Sequence, residues 1–582
     1  MNAPLLSTIT GPADVKRLSP AQLDQLADEM RAALIEKLSR HGGHIGPNLG
    51  FVEATVALHH VFDSPRDKLV FDVSHQSYGH KMLTGRAQAF LDPAHYDDVS
   101  GFTEPAESDH DLFTIGHTST SVSLAVGLAR ARDLMGGTEN VVAILGDGSL
   151  SGGEALEGLD MAGEQGTNLI VVLNDNEMSI AENHGGLYEN LRELRESGGT
   201  AANNLFRAMG LDYLYVEDGN SVRALVAAFE RVRGIDHPVV VHIHTKKGKG
   251  LPFAEADPEP WHAGGPFDPK TGSRPHRNVG ETYSELVGKH LLAKMVADPA
   301  VVAINAATPT VLGFTPERRA QAGRQFVDVG IAEETAAAMA AGVAKRGGKP
   351  VWGVYSTFMQ RTYDQVSHDI CINSLPVTIL VFGASLDSMN DATHLGFFDI
   401  PLLSNIPNLV YLAPTCAEEL MAMLDWSLEQ RDHPVAIRVP PRVEHGEVPT
   451  CDFGELNRSE VVERGEGIAI LAVGSMMGLG RKLAAAIAER RGVAPTLVNP
   501  RYLTGLDEGL LSGLANGHTQ VITLEDGVLD GGFGQKVAAF YGDTSMRVRT
   551  YGLAKRFLDR YDADDVRRER HLTVEQILED VL

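Results

Sequence analysis

The sequence contains few cysteines, and it lacks the long apolar runs of membrane proteins. Only three of its 582 residues are cysteines, Cys371, Cys416 and Cys451, and their spacing is not that of metal ligands. A disulfide framework and a cysteine zinc site are therefore excluded, and a reducing compartment is favoured. No run of about 18 apolar residues occurs, and the N-terminal segment lacks a basic stretch followed by an apolar one. We expect a cytoplasmic protein without a membrane partner.

Positive charge is also in deficit. The chain has 51 Lys and Arg against 77 Asp and Glu, which gives a formal net charge of −26. Because such an acidic surface repels phosphate backbones, a nucleic-acid partner is disfavoured. An anionic small-molecule substrate would instead have to be bound by a local cluster of Arg, His, Lys or metal.

Short apolar runs recur along the chain, and helical patterns separate them. Several runs are rich in β-branched residues and end in Gly, Asp, Asn or Pro, which is typical of buried parallel strands. The order strand, helix, strand predicts an α/β protein of three doubly wound domains, which we place at 1–295, 296–446 and 447–582. A Pro-, Gly- and His-rich stretch at 253–277 is interpreted as a crossing linker, and 443–460 as the second break. The predicted strands lie within 140–148, 168–176, 238–245, 349–357, 376–383, 408–414, 434–440, 467–474, 494–500 and 520–527, and predicted helices lie within 151–166 and 221–234.

Two of the predicted strands end in motifs that can carry chemistry. Gly146-Asp147-Gly148 ends one run, and Asn174-Asp175-Asn176 ends the next. If these strands are parallel neighbours, their carboxyl ends lie side by side, where α/β sheets bind ligands. A carboxylate and an amide oxygen, beside glycines that allow close approach, suit a hard divalent cation that also holds phosphate oxygens. The alternative is a pair of ordinary turns, since Gly, Asp and Asn are common turn residues.

The spacing of these motifs resembles the thiamin-diphosphate signature, because 27 residues separate the GDG motif from Asn176. Further segments resemble the 1-deoxy-D-xylulose-5-phosphate synthase family, and the resemblance covers nearly the whole chain. The order of the domains is that of transketolases and this synthase, and it is the reverse of that in pyruvate decarboxylases. The segments that carry the resemblance are HGGHIGPNLG (41–50), HQSYGHKMLTGR (75–86), 115–137, LNDNEMSIAEN (173–183), TKKGKG (245–250), VDVGIAE (327–333) and YSTFMQRTYDQV (355–366).

The resemblance implies transketolase-like domains, a homodimer, and the cofactors thiamin diphosphate and Mg²⁺. It further implies a decarboxylating condensation of pyruvate with D-glyceraldehyde 3-phosphate to give 1-deoxy-D-xylulose 5-phosphate. By the same resemblance, Asp147, Asn176 and the main-chain carbonyl of Met178 would bind Mg²⁺. The residues that it assigns to the cofactor are His75, His117, Gly148, Ser149, Asn176, Lys247, Phe358 and Glu333.

Glu333 would hydrogen-bond the aminopyrimidine ring and promote removal of the thiazolium proton, and Phe358 would stack on that ring. Catalytic histidines are implied at positions 44, 75 and 394, because an imidazole can exchange a proton with a forming alkoxide near neutral pH. The substrate-binding residues implied are His44, Tyr355, Arg361, Asn390 and Arg442, with Arg361 a phosphate contact.

The acceptor half departs from the family pattern. Where the family has Asp-Arg-Ala-Gly and then Asp-Gly-x-Thr-His, this chain has Phe382-Gly-Ala-Ser and then Asn390-Asp-Ala-Thr-His. An ungapped register puts Gly383 in place of an arginine that meets the acceptor's phosphate, and the two arginines at 438 and 442 are one residue further apart than in the family. Gln-His after the catalytic glutamate is replaced by Glu334-Thr335, and the segment after 183 is short.

Three interpretations follow from these departures. The chain is a true synthase, a transketolase-like or synthase-like carboligase with another donor or acceptor, or an inactive cofactor-binding homologue. The retained Glu333 argues against the last, because a silent protein has no need of it. Two Gly-rich segments that weakly match dinucleotide loops, 474–480 and 530–534, are interpreted as turns.

Overall fold

The computed structural model describes residues 4–275 and 280–582, which form two compact units. The first unit runs to the gap at 276–279 and also includes Gly330–Ala332, and the second contains the rest of the described chain. Across both described ranges, no helix combines the length and the apolar character needed to span a membrane.

The first unit is built on a parallel five-stranded sheet. Its strand order is β2-β3-β4-β6-β5, and helices cover both faces of the sheet with apolar side chains. β1 and β7 pair separately as a short antiparallel ribbon. The strands are β1 (Gly43–His44), β2 (Lys68–Phe71), β3 (Val141–Gly146), β4 (Leu169–Asp175), β5 (Asp212–Val216), β6 (Pro238–His244) and β7 (Ala263–Gly264). The helices of seven residues or more are α1 (Pro20–His41), α2 (Val52–Val61), α3 (Ser121–Met135), α4 (Gly153–Gln165), α5 (Gly186–Glu196) and α6 (Val222–Val232).

The prediction of a linker over 253–277 is wrong for residues 253–275, the part of this stretch that the structure describes. Phe253, Trp261 and Phe267 pack together, with ring centroids 4.5 Å apart for the first pair and 5.1 Å for Trp261 and Phe267. β7 then pairs with β1. Three aromatic anchors therefore fold this stretch onto the first unit, although its Pro and Gly content is typical of a linker. Residues 276 and 277 lie outside the described part of the chain.

The second unit contains two sheets. A parallel six-stranded sheet has the order β12-β13-β11-β10-β8-β9, and a five-stranded sheet has the order β14-β16-β15-β17-β18, in which only β14 is antiparallel. One apolar cluster contains side chains from both sheets, including Ile379 and Leu471. The strands are β8 (Val301–Asn305), β9 (Phe326–Asp328), β10 (Lys349–Tyr355), β11 (Thr378–Phe382), β12 (Val410–Leu412), β13 (Val435–Val439), β14 (Glu460–Glu463), β15 (Gly467–Ala472), β16 (Thr496–Asn499), β17 (His518–Val528) and β18 (Arg547–Leu553).

Helices flank these sheets, so the predicted α/β class is confirmed, and each of the ten predicted strands is present. The turn predicted at 474–480 is wrong, because a short 3₁₀ turn at Gly474–Met476 leads directly into a 15-residue helix. At 530–534 the turn is present and ends where a helix begins at Phe533. The helices of seven residues or more are α7 (Tyr283–Ala297), α8 (Pro316–Ala322), α9 (Glu333–Lys345), α10 (Ala417–Glu429), α11 (Met477–Arg491), α12 (Glu508–Leu514), α13 (Phe533–Phe540), α14 (Ala563–Glu569) and α15 (Val574–Val581).

Candidate active site

The two motifs of the first unit lie side by side, as predicted. β3 and β4 are parallel neighbours in which Gly146 pairs with Asn174, and the Asp147 N–H donates to the Asn174 carbonyl at 3.1 Å. Asp147 is buried, and its Oδ2 accepts a hydrogen bond of 2.6 Å from the Asn183 amide. Burial, together with the nearby charge of Asp175, raises the pKa of Asp147 well above its usual range. A cation would remove the cost of ionising this carboxyl.

The surroundings of Asp147 fit a divalent cation and a diphosphate. Asn176 Oδ1 is buried and has no hydrogen-bond partner within the described ranges, so this oxygen can serve as a ligand of a bound cation. Lys247 is also buried, and its ammonium donates to the Ser179 carbonyl. Burial lowers the pKa of Lys247 to about 8, although Asp147 acts in the opposite direction. A buried cation of this kind suits an anionic ligand.

Gly148, Ser149 and Met178 lie around the same strand ends. A Cβ on Gly148 would come within 3.0–3.1 Å of Ser179, so only glycine fits without movement. The Ser149 carbonyl accepts from the Ser119 hydroxyl at 2.8 Å, and the backbone of Met178 bridges to Glu182. The structure therefore holds the Met178 backbone in a defined position.

The sequence did not predict the residues that hold Asp175 in place next to this site. The Asp175 carboxylate accepts hydrogen bonds from His242 at 2.8 Å and from Arg195 at 2.5 Å. Burial acts to raise the pKa of Asp175, but these two partners outweigh it and the pKa is lowered. The ionised Asp175 thus fixes the turn from which Asn176 projects. These partners are distant in sequence and belong to no motif, so no sequence signal identified them.

Three histidine rings cluster in the first unit. The ring centroids of His44 and His75 lie 5.3 Å apart, and those of His75 and His262 also lie 5.3 Å apart. His262 comes from the stretch that was interpreted as a linker, so the sequence analysis missed it. Burial lowers its pKa well below the usual range, and the imidazole is therefore neutral. His117, the fourth histidine predicted in this unit, is half-buried in the loop before α3.

Glu333 begins α9 in the second unit. Its side chain is buried, and Oε2 has no hydrogen-bond partner among the residues that the structure describes, although Arg361 Nη1 lies 3.7 Å away. Burial raises the pKa of Glu333, while the Arg361 charge opposes that rise. A buried carboxyl with a raised pKa can share a proton with a ring nitrogen.

The other predicted residues of the second unit lie near the carboxyl ends of its parallel strands. The Phe358 ring centroid is 5.7 Å from that of His394 and 6.1 Å from that of Tyr355, and Asp391 bonds His394 Nδ1 at 3.0 Å. The structure thus brings together three residues that the sequence predicted separately. Asn390 and Arg442 lie further along the loops: the Asn390 amide donates to the Tyr561 carbonyl at 3.1 Å, and Arg442 is largely exposed beside Asp387.

Family models match most of the chain. Residues 6–202 and 197–245 match one described as 1-deoxy-D-xylulose-5-phosphate synthase. Residues 280–443 match the transketolase pyrimidine-binding domain, and 457–577 match the transketolase C-terminal domain. The chain is therefore an enzyme of the transketolase superfamily, a transferase, as predicted.

Two relatives at about 40% identity narrow this class. The 1-deoxy-D-xylulose-5-phosphate synthase of Symbiobacterium thermophilum is 42% identical over 95% of this chain and 91% of the relative. That of Desulforudis audaxviator is 39% identical over 99% and 96%. A transketolase structure from Campylobacter jejuni covers 97% of this chain and 100% of its own, with 16% identity and a TM-score of 0.44. This chain belongs to the 1-deoxy-D-xylulose-5-phosphate synthase family, and enzymes of these families use thiamin diphosphate.

Proposed function

We propose that this chain condenses pyruvate, with loss of carbon dioxide, and D-glyceraldehyde 3-phosphate to 1-deoxy-D-xylulose 5-phosphate, using thiamin diphosphate and Mg²⁺. The observation that carries the proposal is the buried Asp147 beside Asn176, whose Oδ1 lacks a hydrogen-bond partner within residues 4–275 and 280–582. In a member of this family, an unsatisfied amide oxygen next to a buried carboxylate is an incomplete oxygen shell for a cation.

The residues proposed to bind thiamin diphosphate and Mg²⁺ are those whose surroundings fit these two groups. Asp147, Asn176 and the Met178 carbonyl would hold Mg²⁺, and Lys247 with the backbone around Gly148 and Ser149 would hold the diphosphate. His75, His117, Phe358 and Glu333 would contact the rest of the cofactor. Bound thiamin diphosphate would supply the carbon nucleophile that takes the two-carbon unit from pyruvate and gives it to the aldehyde.

The residues of the chain would do the proton transfers. Glu333 would share a proton at Oε2 with the aminopyrimidine, because its pKa is raised by burial. His44 and His75 would exchange protons with substrate oxygens, while His262, which burial keeps neutral, would contact the His75 ring without taking up a proton. Asp391 would keep His394 oriented through the bond to Nδ1.

A second candidate is the same transfer from pyruvate to another aldehyde. It is favoured by Gly383, which has φ +65° and stands where the family has a phosphate-binding arginine, and by Asn390, which is held by Tyr561. The donor chemistry and the cofactor are the same for both candidates, so only the acceptor distinguishes them.

The test is a mass-spectrometric assay of the full chain with thiamin diphosphate, Mg²⁺, pyruvate and D-glyceraldehyde 3-phosphate. Deoxyxylulose phosphate with equimolar carbon dioxide is expected. Carbon dioxide release that depends on a different aldehyde would support the second candidate, and no release with any aldehyde would refute both. The homodimer is part of the proposal, and analytical ultracentrifugation tests it.

A further inference from the structure

Tyr355, Asn390 and Arg442, which the sequence predicts to bind substrate, define the candidate acceptor site of the second unit. The loop that follows β11 connects Tyr355 to a cavity within the same unit. Tyr355, Phe382 and Val439 end the parallel strands β10, β11 and β13 in register, so the residues after them meet at one edge of the sheet. On one side of the loop, a Cβ at Gly383 would lie 3.5 Å from the Tyr355 ring. On the other side, Ser385 and Asp387 line a cavity with a volume of about 270 Å³, which would hold a small metabolite.

The charged groups that line this cavity balance one another. Three are cations and three are carboxylates, so the cavity offers no net positive charge to an anion. Asp387 contributes most to this balance, because one of its oxygens lies 3.4 Å from Arg442 and the other pairs with Arg567. The cations are Arg442, Lys482 and Arg567, and the carboxylates are Asp387, Glu444 and Asp526.

The C-terminal segment of the chain fixes this loop. The Tyr561 hydroxyl donates to the Leu386 carbonyl at 2.8 Å, and the Asp559 carboxylate accepts from the Ala392 N–H at 3.1 Å. Arg567 is itself held between Asp387 and Asp564. These contacts therefore hold Arg567 and Asp387 in place, and the Asp387 side chain is only 16% exposed. Solvent screens such a charge weakly.

We propose that Asp387 is a specificity-determining residue of the acceptor site. As the counter-ion of Arg442 and Arg567, Asp387 lets this chain accept hydroxyaldehydes that carry no phosphate. A phosphate that entered the cavity would have to compete with Asp387 for both arginines, and it would lie beside a carboxylate of like charge. An aldehyde whose far end carries only uncharged hydroxyl groups would face neither this competition nor this repulsion. The inference rests on the proposed function for the donor and the cofactor.

The test compares D387N with the unchanged chain as full-length holoenzyme. With pyruvate as donor, kcat/KM is measured for D-glyceraldehyde 3-phosphate and for D-glyceraldehyde. We expect the ratio of the first value to the second to rise about tenfold in D387N, mainly through a lower KM for the phosphorylated aldehyde. D564N is the matched control, because Asp564 pairs with the same arginine at 2.6 Å but lies on an exposed helix. Its ratio should stay within about twofold.

A binding measurement separates this inference from the proposed function. Calorimetry with glycerol 3-phosphate, which cannot react, should show about tenfold tighter binding to D387N than to the unchanged chain, while glycerol should show no such gain. An unchanged ratio with both aldehydes, or unchanged glycerol 3-phosphate affinity, overturns the role of Asp387 even if pyruvate is decarboxylated. If pyruvate is not decarboxylated with any aldehyde, the proposed function fails, and the calorimetric result alone decides on Asp387.

Discussion

The Arg361 guanidinium lies 3.7 Å from the Glu333 carboxylate, so two residues predicted for different tasks share one contact. Arg361 was predicted to bind the substrate's phosphate, and Glu333 to act on the cofactor. The contact opposes the rise that burial causes in the Glu333 pKa. Arg361 therefore influences how readily Glu333 gives and takes a proton, whatever else it binds.

The first prediction concerns this carboxylate. Glu333→Gln should reduce turnover at least about a hundredfold, because an amide cannot share a proton as a carboxyl does. Thiamin diphosphate affinity, measured by calorimetry, should change little, since the proposed diphosphate and Mg²⁺ contacts lie in the first unit. Glu334→Gln, on the same helical turn, is the matched control and should keep most of the activity. Near-normal product formation by Glu333→Gln would refute the role given to Glu333.

The second prediction concerns the metal. Asp147→Ala should abolish the Mg²⁺ dependence of cofactor binding and weaken that binding at least about a hundredfold, because a buried charged ligand is lost. Calorimetry with and without Mg²⁺ measures both effects. Asp160→Ala, an exposed position on α4, should bind cofactor as the unchanged chain does. Retention of Mg²⁺-dependent binding by Asp147→Ala would remove the basis of the proposed site.

The sequence predicted those parts of the site that local patterns determine. β3 and β4 were predictable because each is a short apolar run that ends in turn residues, and parallel order follows from the helix between them. His262 was not, because it lies among Pro and Gly residues without a periodic pattern. The contacts of the 383–394 loop with Tyr561 and Arg567 join residues more than 160 positions apart. Such pairings depend on how two sheets pack, and no spacing in one sequence encodes them.

The third prediction concerns Gly383. Its φ of +65° is a conformation that side chains disfavour, and a Cβ there would lie 2.6 Å from the Ser388 hydroxyl oxygen. Gly383→Arg should therefore destabilise the chain by about 1–3 kcal/mol and should not tighten binding of D-glyceraldehyde 3-phosphate. Thermal unfolding and steady-state kinetics measure the two effects. Gly342→Ala is the control, because a Cβ at that position in α9 meets nothing within 4 Å and should not lower the melting temperature. A stable Gly383→Arg chain with a lower KM would contradict this account.

The last prediction concerns stability and pH. Glu525 is fully buried, and its carboxylate accepts from the N–H groups of Phe533 at 3.0 Å and Gly534 at 2.7 Å at the start of α13. Burial outweighs these bonds and raises the pKa of Glu525 from 4.5 to about 7. The folded chain thus binds this proton more tightly than the unfolded chain does.

The stabilisation from that proton is fully present below pH 4.5 and is lost as the pH rises to about 7. The loss amounts to at most roughly 3 kcal/mol. Urea unfolding at pH 5 and pH 8 should therefore show Glu525→Gln losing less stability over this interval than the unchanged chain. Glu579→Gln, on the exposed side of α15, should follow the unchanged chain. Equal pH dependence in the Glu525→Gln and Glu579→Gln chains would show that Glu525 does not titrate in this interval, because the amide at 525 cannot take up a proton there.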